Sequence, residues 1–185
     1  MPSIEFEPAL KEVVNAKRIS ASRMKDVTDM GLGLMQHDTQ LVSVLYRTHK
    51  SCKSQPKIHS LYVVDSLARA ARRYADKHGQ TGDANASPGT CATFMLKLEN
   101  VLDGFFQEMT APNVPEGKEK SKKILDIWTK NRTFPAGVVK RLLSVVAGDP
   151  GAYHVSICLS LSTSLRAIPP MFFPSIHPLA FVRGK

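Results

Sequence analysis

Acidic residues are scarce in this chain: 16 Asp and Glu stand against 25 Lys and Arg, a formal charge of +9 over 185 residues. Such an excess points to a polyanionic partner, whether nucleic acid, an acidic membrane surface or a phosphorylated protein. No run of about 18 uncharged apolar residues occurs, so no transmembrane helix is expected. The N-terminal Met-Pro-Ser-Ile-Glu-Phe-Glu carries acids where a secretory signal carries bases and then an apolar stretch, so secretion is not expected either. Cysteine is limited to Cys52, Cys91 and Cys158, odd in number, widely spaced and without a C-x-x-C pair. That leaves a disulfide framework and a zinc site without support, and makes reduced thiols in the cytoplasm or nucleus the natural reading.

Catalytic signatures are missing too. There is no G-x-x-x-x-G-K-[ST], no G-x-G-x-x-G after a strand, no H-E-x-x-H and no G-x-S-x-G. The six histidines, at 37, 49, 59, 78, 154 and 177, show no ligand spacing, and Cys91 has no identifiable histidine partner. The chain reads as a binding module rather than an enzyme, with no catalytic residue, cofactor or metal.

What the chain does have is helical period. Its length suits one domain able to bury roughly 68–70% of its unfolded surface. Phe6, Leu10 and Val13 share a face of a first helix over 4–14; Met24, Val27, Gly31 and Leu34 mark a second from about 22 to 35. Leu41, Val44, Leu45, Thr48 and Cys52 mark a third, and Pro56 opens a fourth that is apolar on most sides, as a central helix should be. After a Gly/Asn/Ser/Asp-rich loop, Pro88 is expected to start a helix with the stripe Met95, Leu98, Leu102, Phe105 and Met109. Two more run from about Lys118 to Asn131 and from Pro135 to a stop at Gly148. No two-residue alternation survives, so the fold class is all-α with seven or eight helices. Residues 151–185 break the pattern: they hold no acid, prolines at 169, 170, 174 and 178, and three phenylalanines without period. The expected division is a domain over 1–148 and an irregular, proline-containing tail over 149–185.

Three segments carry chemistry. In Lys17-Arg-Ile-Ser-Ala-Ser-Arg-Met-Lys25, Ser20 or Ser22 can cap the second helix, yet Arg23 puts a cation in the first turn, where the helix dipole favours an anion. An external phosphate would reconcile the two, cradled by free amides, two hydroxyls and a guanidinium. On the fourth helix, Asp65 lies in a mostly apolar run, where an unpaired carboxylate is costly. It reads either as an internal ion pair with Arg69 at i+4 or as one face of a groove with Tyr62, Ser66 and Arg69. In Lys118-Glu-Lys-Ser-Lys-Lys-Ile-Leu-Asp-Ile-Trp128, Lys120 and Lys123 share a face that Ile124 and Ile127 extend as an apolar strip, with Trp128 turned to the core. The alternative is a solvated basic helix end.

Three strings coincide with these segments: Ile19-Ser-Ala-Ser-Arg-Met-Lys, Ser60-Leu-Tyr-Val-Val-Asp-Ser-Leu-Ala-Arg-Ala and Ile124-Leu-Asp-Ile-Trp, with Ser87-Pro-Gly-Thr-Cys-Ala between the last two. Together they make residues 1–148 resemble the CTD-interacting domain of RNA polymerase II termination and 3′-end processing factors, closest to the subgroup whose full-length members also carry an RNA-recognition module. The resemblance implies a right-handed superhelix of about eight helices that binds the phosphorylated heptad Tyr-Ser-Pro-Thr-Ser-Pro-Ser of the largest polymerase subunit. It implies a nuclear, monomeric module that reaches RNA only through a domain absent from this chain. It places Ser20, Ser22 and Arg23 on the fifth-position phosphoserine, Tyr62, Asp65, Ser66 and Arg69 along the peptide groove, and Ile124 and Ile127 on its apolar wall. Some members have an arginine where this chain has Lys123, to hold a second-position phosphoserine; lysine here, with Lys120 beside it, keeps the charge and loses the bidentate geometry. A similarly built VHS or ENTH helical adaptor, binding phosphoinositides or trafficking peptides, is the alternative reading, and it would favour an exposed amphipathic or polybasic membrane segment. Direct RNA binding lacks the aromatic string that stacking requires.

Overall fold

The computed structural model describes residues 3–83 and 86–148. Eight α-helices follow in order: α1 (Ser3–Asn15), α2 (Ala21–Gly33), α3 (Asp38–Ser51), α4 (Ser54–Lys77), α5 (Cys91–Glu99), α6 (Leu102–Met109), α7 (Gly117–Asn131) and α8 (Ala136–Ala147). A single 3-10 turn, Met35–His37, joins α2 to α3, and no strand occurs among the described residues. The helices wind into a right-handed superhelix. The expected tail over 149–185 lies outside the described residues.

Helix α4 is the axis. Leu61, Val63, Val64, Leu67, Ala68 and Ala71 are all fully buried, and the helix packs on α1, α2, α3, α5, α6 and α7. Each large aliphatic chain so buried contributes roughly 1.5–3 kcal/mol relative to exposure. Pro56 sits in its first turn, where a missing N–H costs no helical bond. Its C-terminus closes on Gly79 at φ 59, with Gln80 N–H donating to the Ala75 carbonyl and Gly79 N–H to that of Asp76, the left-handed stop for which glycine is suited. Helix α2 presses close against α4: a Cβ on Gly31 would lie 3.0 Å from a Leu67 methyl, so a larger residue would push the two helices apart.

Two local features depart from expectation. The stripe from Met95 to Met109 is buried throughout but belongs to two helices, because Val101 N–H bonds back to the Leu98 carbonyl and the chain restarts at Leu102. Its start is Cys91 rather than Pro88. Thr90 accepts from Thr93 N–H at 3.2 Å while Thr93 Oγ1 accepts from Thr90 N–H at 2.7 Å, a reciprocal cap that fixes the first turn. Thr93 Oγ1 also donates to the buried carboxylate of Asp38, which Lys97 bonds at 2.6 Å, tying α5 to α3. Burial pushes Asp38 up, but the hydrogen bonds from Lys97 and Thr93 outweigh it and hold the carboxyl below its ordinary range.

Candidate functional site

Helix α2 begins at Ser20, whose backbone is extended (φ −89, ψ 133) as a cap residue should be, yet no side chain caps the helix. The cap expected from Ser20 or Ser22 is replaced by a contact between the two hydroxyls, 3.0 Å apart, which takes both away from the amides. The first helical bond is Met24 N–H to the Ser20 carbonyl, so the amides of Ala21, Ser22 and Arg23 precede any helical acceptor, and the first turn holds no acid. Arg23 reaches Glu12 of α1 at 2.8 Å, both side chains more than half exposed. A pair of that kind is worth about 0–1 kcal/mol and gives way readily to a stronger anion.

Along α4, Ser66 faces α2: its Oγ lies 3.0 Å from Thr28 Oγ1, which itself donates to the Met24 carbonyl. Asp65 turns the other way, to α7. It is 6% exposed, and accepts from Trp128 Nε1 at 2.8 Å and from Arg69 through a two-pronged contact of 2.9 and 2.7 Å. The ion pair read from the i+4 spacing is therefore present, with the indole as a third member, and bonding to Asp65 pushes the Arg69 guanidinium further up. Tyr62, half-buried, faces α7 near Lys120.

Helix α7 separates its two isoleucines. Ile127 is 37% exposed and Ile124 only 2%, so Ile124, read as groove wall, packs in the core instead because its face points at α4 along with Trp128. Lys120 bonds Glu116 at 3.1 Å and Lys123 bonds Glu119 at 2.6 Å, each an acid one turn back. Lys120 is pushed up by its hydrogen bond to Glu116, by that residue's charge and by Tyr62, while Lys123 holds Glu119 below the ordinary carboxylate range.

Residues 5–142 match the CID domain family. The chain belongs to the CID family. Over 152 residues it is 25% identical to "SR-related and CTD-associated factor 8" of Homo sapiens, covering 82% of this chain and 11% of that protein. Over 145 residues it is 28% identical to "Rpb7-binding protein seb1" of Schizosaccharomyces pombe, covering 76% of this chain and 23% of that protein. Among solved structures it is similar to yeast Nrd1 CID in complex with Sen1 NIM3, with TM-score 0.68 and 27% identity over 78% of this chain and 98% of that one. The CTD-interacting domain of Seb1 from S. pombe matches in fold, with TM-score 0.69 and 24% identity over 78% of this chain and 95% of that one.

This CID also brings forward residues that sequence spacing alone did not single out. Between α2 and α4 runs a cleft of about 550 Å³ whose walls include Lys25, Thr28, Ser66, Arg73 and Tyr74. Arg73 stands at i+4 from Arg69, so helical spacing could have found it. Glu12, by contrast, reaches Arg23 from another helix and leaves no local signal.

Proposed function

We propose that this CID binds the phosphorylated C-terminal heptad repeats of the largest RNA polymerase II subunit, acting in the nucleus in transcription termination or RNA 3′-end processing. The observation that carries the reading is the α2 N-terminus, with amides uncapped by any side chain, two adjacent hydroxyls and Arg23 held only by an exposed partner. A phosphoserine brings about −1.5 to −2 charges and three acceptor oxygens, which suits that set of donors. In this reading Ser20, Ser22 and Arg23 take the fifth-position phosphate. Tyr62, Ser66 and Arg69 line the bound turn, with Asp65 holding Arg69 in place. Ile127 supplies the apolar wall, and Lys120 and Lys123 attract a second phosphate as point charges rather than as a fork. The names of relatives, the "CTD-associated" factor and the "CTD-interacting domain of Nrd1", agree with it.

Titration with heptad peptides phosphorylated at the second or the fifth serine tests the assignment. Arg23→Ala should weaken binding of the fifth-position phosphopeptide by about tenfold or more, the loss of a charge-assisted contact of roughly 1.5–3 kcal/mol. Its melting temperature should stay at the wild-type value. Equal affinity in wild type and variant would remove Arg23 from the site.

A further inference from the structure

A second pocket lies on the other flank of α7, at its turn into α8. It encloses about 620 Å³, with a floor of Phe134, Val139 and Leu143 and a rim of Arg72, Arg132 and Lys140. No acidic residue lines it. Leu143 is aliphatic yet 41% exposed, one turn from the buried Val139. Arg132 ends α7 in the left-handed conformation (φ 50), a position glycine fills without strain, and here a bulky cation is held there instead. Among the described residues neither Arg132 nor Lys140 has an ion-pair partner, and Arg72 spends only its Nε on the Thr133 carbonyl and reaches Asp76 at 3.9 Å. The pocket shares no lining residue with the α2–α4 cleft, and Thr129 faces it while Ile127, about 200° round α7, does not.

We propose that this pocket docks an acidic peptide segment that inserts an apolar side chain between the three cations. The charge of the rim selects an anionic occupant. The floor selects a peptide over a nucleic acid, since its one aromatic, Phe134, is 4% exposed and packed on Trp128, leaving no ring on which a base could stack. Residues 151–185 continue from the end of α8 but carry Arg166, Arg183 and Lys185 and no acid, the wrong sign for this rim.

Fluorescence anisotropy on the full chain, with labelled Asp-Glu-Leu-Phe-Asp-Glu as probe, tests the proposal. Wild type and Arg23→Ala should bind the probe equally, while Lys140→Glu and Leu143→Asp should each weaken it at least about tenfold at unchanged melting temperature. Replacing Leu-Phe in the probe by Ser-Ser should weaken binding by a similar factor. A probe with phosphoserine in place of the two aspartates separates the sources of negative charge: whichever binds tighter identifies the ligand's acid. No binding to wild type, equal binding by Leu143→Asp, equal binding of the Ser-Ser probe, or binding of oligouridine in place of the peptide would each overturn the proposal.

Discussion

At the scale of single residues, a carboxylate inside an apolar helix is tolerable only with its lone pairs occupied, and Asp65 meets that condition through Arg69 and Trp128. Asp65→Ala would leave the buried indole N–H without an acceptor. It should cost about 2–4 kcal/mol, seen as a fall of roughly 5–15 °C in melting temperature by circular dichroism. Asp65→Asn, whose amide oxygen can still take the indole proton, should cost less. An alanine variant that melts with wild type would show that the network is dispensable. His49 makes a second case. It is wholly buried, its Nε2 donates to the Phe105 carbonyl at 3.2 Å, and its Nδ1 has no partner, so a second proton would be buried unpaired. Burial first, then the nearby Lys57 charge, hold the ring down at about 4. The unfolded chain therefore binds a proton between about pH 6.5 and 4 that the folded chain refuses. Stability should fall as pH drops through that window, by roughly 3 kcal/mol in all, and His49→Gln should flatten the slope in urea titrations. The acids Glu7, Asp38 and Glu108, held low by their partners, add to the loss as pH falls through the ordinary carboxylate range, where the unfolded chain takes up protons first.

Among the elements, those with a strong apolar period were legible before any coordinates: the ends given for α1, α2, α4, α7 and α8 fall within a residue or two of expectation, because one buried stripe dictates each. The α5–α6 break was not legible, since Leu98, Leu102 and Phe105 keep helical spacing across it and neither glycine nor proline marks it. Cap chemistry was only half legible. Thr90 and Thr93 form a reciprocal cap without the usual Glu or Gln at the third position, and the Ser20–Ser22 contact depends on side-chain geometry that spacing does not carry. Thr93→Val keeps the shape but removes the cap's return bond and the Asp38 contact. It should destabilise the fold by roughly 1–3 kcal/mol, measured by denaturant midpoint, and leave phosphopeptide affinity unchanged because no residue of α5 lines the α2–α4 cleft. In the candidate site, every partner drawn from another helix was invisible in sequence: Glu12 for Arg23, Trp128 for Asp65, Thr28 for Ser66. Sequence named one member of each pair and the tertiary structure supplied the other.

For the whole molecule, the family match over 5–142 and the burial of Val145 and Val146 place the last packed turn of the described chain in α8. A chain ending at Gly148 is accordingly expected to keep its helicity, to melt within a few degrees of the full chain and to bind phosphopeptide as well. Limited proteolysis of the full chain should trim 149–185 first. Loss of helicity, or a melting point many degrees lower, would make those residues part of the packing. Helix α4, which touches six of the other seven helices, has a further consequence. No group of helices can come away without stripping α4 of buried surface, so the domain should unfold as one cooperative unit rather than by halves. A ligand held on α2 and α4 then stabilises the core along with its own cleft, raising the unfolding free energy by RT ln(1 + [L]/Kd). Even a transient ligand, at a hundredfold excess over its dissociation constant, would register as about 2.7 kcal/mol of global stability. The protein's own melting curve is thus a detector for its partners.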